Sequence, residues 1–136
     1  MSNFKVTYKG QLTTEIEHLD TGEKIITDAP KDNQGLGRTF SPTDLTSSSL
    51  ASCMLTIIAI AAKTHHLNIL SMDSKISKVM SITSPRRINE INIDINIRGE
   101  FDKKSKKIIE KSAENCPVHH SLHPEININL KINYLN

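Results

Sequence analysis

SPTDLTSSSLASCMLTIIAIAA, residues Ser41–Ala62, is the stretch from which the fold follows. Ser41 is a natural helix cap and Pro42 suits the first helical position. Asp44 stands where a capping-box acid reaches back to the cap. From Leu45 to Ala62 apolar and small residues run right round the helix, and a helix with no charged face is a buried one. The apolar-rich run Leu50–Ala62, broken by Ser52, Cys53 and Thr56, reads as too short to cross a bilayer. The helix is expected to end near Lys63–His66, with Cys53 in its middle. One sheet covers only one side of such a helix. The expectation is therefore a dimer in which two central helices cover each other.

On the N-terminal side, Phe4, Val6 and Tyr8 alternate with polar residues. Leu12, Thr14, Ile16 and His18 continue with period two, Asp20-Thr21-Gly22 turns the chain, and Lys24–Thr27 forms a third short strand. Residues 1–30 thus read as a three-stranded meander. Residues 29–41 read as a loop punctuated by Pro30, Gly35 and Gly37, with Arg38 just ahead of the helix. On the C-terminal side, Ile76–Ile82 is expected as a strand, and Ser84-Pro85-Arg86-Arg87 as a turn. Ile91, Ile93, Ile95 and Ile97 alternate with Asn92, Asp94, Asn96 and Arg98, the pattern of a strand with one face buried. Asp102 caps a basic helix, Lys103–Glu114, with Ile108 and Ile109 facing inward. A short helical segment from Cys116 to His123 ends at Pro124, and a last strand runs through Ile126, Ile128, Leu130, Ile132 and Tyr134. The order is βββ-α-ββ-αα-β. The expected fold is α+β, a single domain over residues 1–136 in three parts (1–30, 41–66 and 74–136), with mainly antiparallel sheets packed on a buried central helix.

Composition narrows the function. The chain has 136 residues, 37% of them hydrophobic and 4% aromatic with no Trp, so its core is aliphatic. A net charge of +2 lacks the concentrated positive face that phosphate neutralisation requires. The lysine-rich helix has no interleaved aromatics, and Glu110 and Glu114 offset it, so it reads as a solvated face. Gly35-Leu36-Gly37 continues as Arg38-Thr39-Phe40 and is no phosphate loop. The N-terminus has no apolar stretch of signal-peptide length. The expectation is a soluble, cytoplasmic protein that engages neither nucleic acid nor membrane. In a reducing compartment its two cysteines, Cys53 and Cys116, are catalytic, metal-bound or simply buried.

Cys116-Pro117 places a thiol at a helix cap, where free backbone N–H groups favour a thiolate. The alternative is a plain cap or a buried small side chain. Cys53 lies roughly 18 Å along its helix from Ser41, beyond the reach of the helix dipole. Its apolar neighbours Leu50, Met54, Leu55, Ile57 and Ile58 disfavour a charged form. It is inert packing unless a cation or hydrogen-bond donor reaches it from outside the helix. Cys116, His119, His120 and His123 stand at offsets 0, 3, 4 and 7, one face of a continuous helix, and form a candidate zinc set. His65-His66 is a weaker pair.

Two segments carry a family resemblance: Ser41-Pro42-Thr43-Asp44-Leu45 leading to Leu50-Ala51-Ser52-Cys53, and Cys116-Pro117-Val118-His119-His120-Ser121-Leu122. With their separation and the element order, the chain resembles the OsmC/Ohr family, the osmotically induced and organic-hydroperoxide-resistance proteins, and its OsmC-like branch in particular. The resemblance implies an intertwined homodimer and a thiol-dependent peroxidase without cofactor or metal. Cys53 would attack an organic hydroperoxide and become a sulfenic acid, Cys116 would close a disulfide on it, and a dithiol reductant would restore both thiols. In the Ohr branch an N-terminal Arg and a Glu at the helix start activate the first cysteine. Here residues 1–37 hold no Arg, and position 43 is Thr, so the resemblance points to Arg38 and Asp44, or to a Lys or His of the other subunit. The alternatives are a non-catalytic dimer binding a small apolar or thiol ligand, and a metal site at Cys116 with His119, His120 and His123.

Overall fold

A computed structural model describes all residues from Met1 to Asn136. Two three-stranded sheets, ordered β1-β2-β3 and β4-β5-β6, accompany three α-helices and a short 3-10 turn at Lys31–Asn33. The packing divides the chain into two compact units, Met1–Thr46 and Ser47–Asn136.

In the N-terminal unit β1 (Phe4–Gly10), β2 (Thr13–His18) and β3 (Lys24–Asp28) form the expected antiparallel meander. Register places Val6 opposite Ile16 and Ile16 opposite Ile25, so these three share one face with Phe4 and Tyr8. That face is poorly covered: Phe4, Val6, Tyr8 and Ile25 are all exposed, Tyr8 at 64%. The following loop folds tightly. A Cβ on Gly35 would stand 1.7 Å from the carbonyl oxygen of Ala29, so no side chain fits there. The start of α1 (Pro42–Thr64) is the expected capping box. The Ser41 Oγ accepts from the Asp44 amide at 3.1 Å, and the Asp44 Oδ2 accepts from the Ser41 amide at 2.8 Å, so each satisfies an otherwise orphaned donor.

The C-terminal unit holds the core. β5 (Ile88–Arg98) lies between β4 (Ser71–Met80) and β6 (Asn127–Leu135). Ile91, Ile93, Ile95 and Ile97 are buried in one cluster with Leu50, Met54 and Ile58 of α1. Each contributes about 1.5–3 kcal/mol of hydrophobic stabilisation. α2 (Lys103–Glu114) is capped as expected, Asp102 Oδ1 accepting from the Ser105 amide at 2.8 Å. It buries Ile109 and Ala113, one turn apart, and leaves Ile108 half-buried. On the outer sheet face Asn92 donates to Ser77 at 3.1 Å and Asn129 donates to Asn92 at 2.8 Å. These cross-strand pairs give the polar residues of the alternation their partners.

Several expectations are adjusted. β4 begins at Ser71 and ends at Met80, not Ile76–Ile82. Its inward positions are Met72, Ser74, Ile76, Lys78 and Met80, and the polar Ser74 and Lys78 interrupt the apolar signal; Ile82 lies past the strand and is fully exposed. Three of the four strand pairings are antiparallel, but β6 joins β5 in parallel. A parallel neighbour needs a crossover, here α2 and α3 (Pro117–Ser121). α1, at 23 residues, is by length and composition long enough to cross a membrane, unlike the shorter run counted from Leu50. Nor is it covered all round within one chain. Leu50, Met54 and Ile58 are buried, while Ser52, Thr56, Ala59 and Ile60 form an exposed stripe.

Candidate active site

The C-terminal unit brings the two cysteines together. Cys53 sits on the half-buried flank of α1, about one turn after Leu50, the first residue of the helix to enter the isoleucine core. Cys116 is the N-cap of α3, with backbone φ −68° and ψ 140° and Pro117 at the first helical position, as its dipeptide predicts. Its Sγ accepts a hydrogen bond from the His119 amide at 3.2 Å. The Cys53 side chain neighbours the Cys116 thiol closely enough to act on its ionisation. Both thiols are free, Cys53 partly accessible and Cys116 wholly buried.

One sequence expectation reverses here. The helix cap alone favours a Cys116 thiolate, yet burial pushes this thiol up from its ordinary value. The His119 amide works in the opposite direction and is outweighed, while the neighbouring Cys53 adds to the rise. In an apolar pocket the desolvation of a negative sulfur exceeds what one neutral N–H returns. Cys116 is therefore a protonated, sheltered thiol at neutral pH.

The other two predicted residues, Arg38 and Asp44, belong to the N-terminal unit, where each has a local partner. Asp44 closes the capping box. Arg38 is bound to Asp28, a carboxylate only 2% exposed. Nε donates to Asp28 Oδ2 at 2.8 Å, Nη2 to Oδ1 at 3.0 Å, and the Arg38 amide to Oδ2 at 2.9 Å. The Thr13 hydroxyl donates to Oδ1 at 2.7 Å. This forked pairing, of the strong charge-assisted kind, holds the Asp28 carboxyl far below the usual range, and Arg38 is raised in turn. Sequence reasoning missed Asp28 and Thr13, because a lone Asp at a strand end looks like any turn residue.

The metal reading fails on geometry. Its offsets require one helix through His123, and α3 stops at Ser121. No three His, Cys, Asp or Glu side chains are grouped to hold a metal ion. The imidazoles are engaged elsewhere: His119 Nδ1 lies 3.0 Å from the Glu114 carbonyl oxygen and His120 Nε2 lies 3.4 Å from Asn115 Oδ1.

A thiol pair on a long helix and a short capped one, within this βββ-α-ββ-αα-β order, matches a known family. The model of OsmC-like proteins matches residues 34–131, and the chain belongs to that family. It is 47% identical to a crystal structure from Psychrobacter arcticus 273-4, named for osmotic stress induction and a detoxification response; the match covers 98% of this chain and 96% of that one, with a TM-score of 0.91. An OsmC-like protein from Mycoplasma pneumoniae shares the fold at 18% identity and a TM-score of 0.84, over 100% and 98% of the two chains. An organic hydroperoxide resistance protein OsmC from Legionella pneumophila shares it at 16% and 0.79, over 98% of each. No curated protein matches the sequence.

Proposed function

We propose that the protein is a thiol-dependent peroxidase that reduces organic hydroperoxides in the cytoplasm, in oxidative-stress defence. The observation that carries this reading is the juxtaposition of a partly accessible Cys53 and a buried Cys116. The accessible sulfur meets the hydroperoxide. Cys53 thiolate attacks the distal oxygen, the O–O bond breaks, the alcohol leaves with a proton, and Cys53 becomes a sulfenic acid. Cys116 then attacks that sulfur. The S–S bond forms as the S–O bond breaks, and the hydroxide departs as water with the thiol proton of Cys116. An external dithiol reduces the disulfide by exchange and is itself oxidised to a disulfide. Sulfur performs every redox step, so no cofactor or metal enters. A buried resolving thiol, protonated at rest, suits the second position: it is shielded from solvent oxidants and meets only the neighbour that has been oxidised. The printed name of the Legionella pneumophila neighbour agrees with this chemistry.

The working particle is proposed to be a homodimer. Two incompletely covered surfaces support this: the apolar Phe4, Val6, Tyr8 face of the N-terminal sheet and the uncharged Ser52, Thr56, Ala59, Ile60 stripe of α1. Exposed apolar patches of this kind mark association surfaces. A Lys or His of the second subunit is proposed to support the Cys53 thiolate, since Arg38 is engaged by Asp28 and Asp44 by the Ser41 amide.

The test is turnover of cumene hydroperoxide with a lipoyl-type dithiol. The wild type should consume peroxide catalytically, Cys53→Ser should consume none, and Cys116→Ser should complete one reduction and stop with a sulfenic acid that dimedone captures. Undiminished turnover in Cys53→Ser would refute the assignment.

A further inference from the structure

α3 has only five residues, too few to hold itself together by helical bonding. The backbone bonds at its ends are long: Cys116 N–H to Ala113 O at 3.4 Å, His120 N–H to Cys116 O at 3.3 Å, and Leu122 N–H to His119 O at 3.4 Å. These lie beyond the usual range for N–H···O. Yet the amide that holds the Cys116 sulfur comes from this short helix. Val118 and Leu122 pack this segment onto the core, but packing is not directional.

The His119 side chain adds a directional bond. Its ring turns back from α3 to the last residue of α2, where Nδ1 meets the Glu114 carbonyl oxygen at 3.0 Å. A carbonyl only accepts, so Nδ1 carries the proton and donates. Among the bonds between the two helices this is shorter than the Cys116–Ala113 and His120–Asn115 links, both 3.4 Å. The His120 ring lies alongside that of His119, centroids 6.0 Å apart at 21°. One residue thus makes both connections: its main chain to the sulfur, its ring to the preceding helix.

We propose that His119 is a positioning residue for disulfide closure, its imidazole anchoring α3 on the Glu114 carbonyl so that its amide holds Cys116 Sγ toward Cys53. This rests on the reading that Cys116 closes onto Cys53. The inference assigns the histidine to the second sulfur step alone. The reaction of Cys53 with hydroperoxide does not pass through the anchor.

The experiment compares wild type, His119→Ala and His119→Asn, the Asn amide nitrogen standing close to where Nδ1 stands. Closure of the Cys53–Cys116 bond is timed after a single hydroperoxide addition and, separately, with oxidised dithiothreitol, which requires no peroxidase chemistry. Circular dichroism confirms that each variant is folded. Closure in His119→Ala should slow about three- to tenfold by either oxidant, the worth of one hydrogen bond. Sulfenic acid should form at the wild-type rate and persist longer, and His119→Asn should recover most of the loss. Wild-type closure rates in His119→Ala would overturn the proposal, and so would an Asn variant as slow as Ala. A wild type that ignores hydroperoxide, yet closes with oxidised dithiothreitol in a His119-dependent way, would remove the peroxidase reading and leave the positioning role intact. A wild type that closes with neither oxidant would remove both.

Discussion

The thiol of Cys116, wholly buried at the start of α3, stands beside the side chain of Cys53 in the middle of α1. Two residues remote in sequence thus share one small volume, and they differ in access. That asymmetry separates the two sulfurs by role.

It predicts an order of labelling. Iodoacetamide should modify Cys53 first in the folded protein, because it is the accessible thiol. Cys116 should resist at neutral pH, since burial raises its thiol and only the thiolate reacts. Its labelling should accelerate at pH values above the ordinary thiol range, and on unfolding. Peptide mapping after timed alkylation reads both rates; Cys116 labelled before Cys53 at pH 7 would reverse the assignment.

The Asp28–Arg38 pair predicts an acid response. The folded carboxyl of Asp28 lies below its ordinary value. Such a group contributes stability that is present above the unfolded value and is lost as pH falls through the folded one. The melting temperature of the wild type should therefore decline as pH drops below about 4. Asp28→Asn should melt lower than the wild type at pH 7 and show a shallower acid decline. Parallel acid profiles for the two proteins would show that the pair contributes nothing to folding.

The capping box predicts a stability cost. Ser41→Ala removes the acceptor of the Asp44 amide and should destabilise the protein by about 0.5–2 kcal/mol, with Ser41→Gly costing less. Urea denaturation measures both. No change in the Ala variant would show that α1 starts without this cap.

The core predicts a steeper one. Ile95 is wholly buried on the central strand. Ile95→Val should cost about 0.5–1.5 kcal/mol and Ile95→Ala about 2–5 kcal/mol, by lost transfer energy plus the cavity left behind.

The fold was legible where periodicity and capping are strong. The alternation of Ile91 to Ile97 with polar residues, the Ser41–Asp44 box and the Asp102 cap are local signals, and local physics decides them. β4 was misplaced because its inward Ser74 and Lys78 break the apolar pattern, and no local rule anticipates a polar residue facing inward. The parallel partnering of β6 depends on which strand it meets after the crossover, which is a tertiary fact. At the site, the Cys116 cap could be read from Cys-Pro, whereas its burial was one of several open readings that only the packing decides. The rise in its thiol pKa therefore ran against the cap. The histidines at offsets 3 and 4 were visible. That they fasten α3 to α2, rather than converge on a metal, depends on where α3 ends.

The most direct test of the account is the covalent state of the reduced protein after one equivalent of cumene hydroperoxide. Intact mass should fall by two hydrogens, and digestion should yield a single cross-linked peptide joining Cys53 to Cys116 within one chain. Two intact thiols after exposure, or oxidation that stops on Cys116 while Cys53 stays reduced, would contradict it.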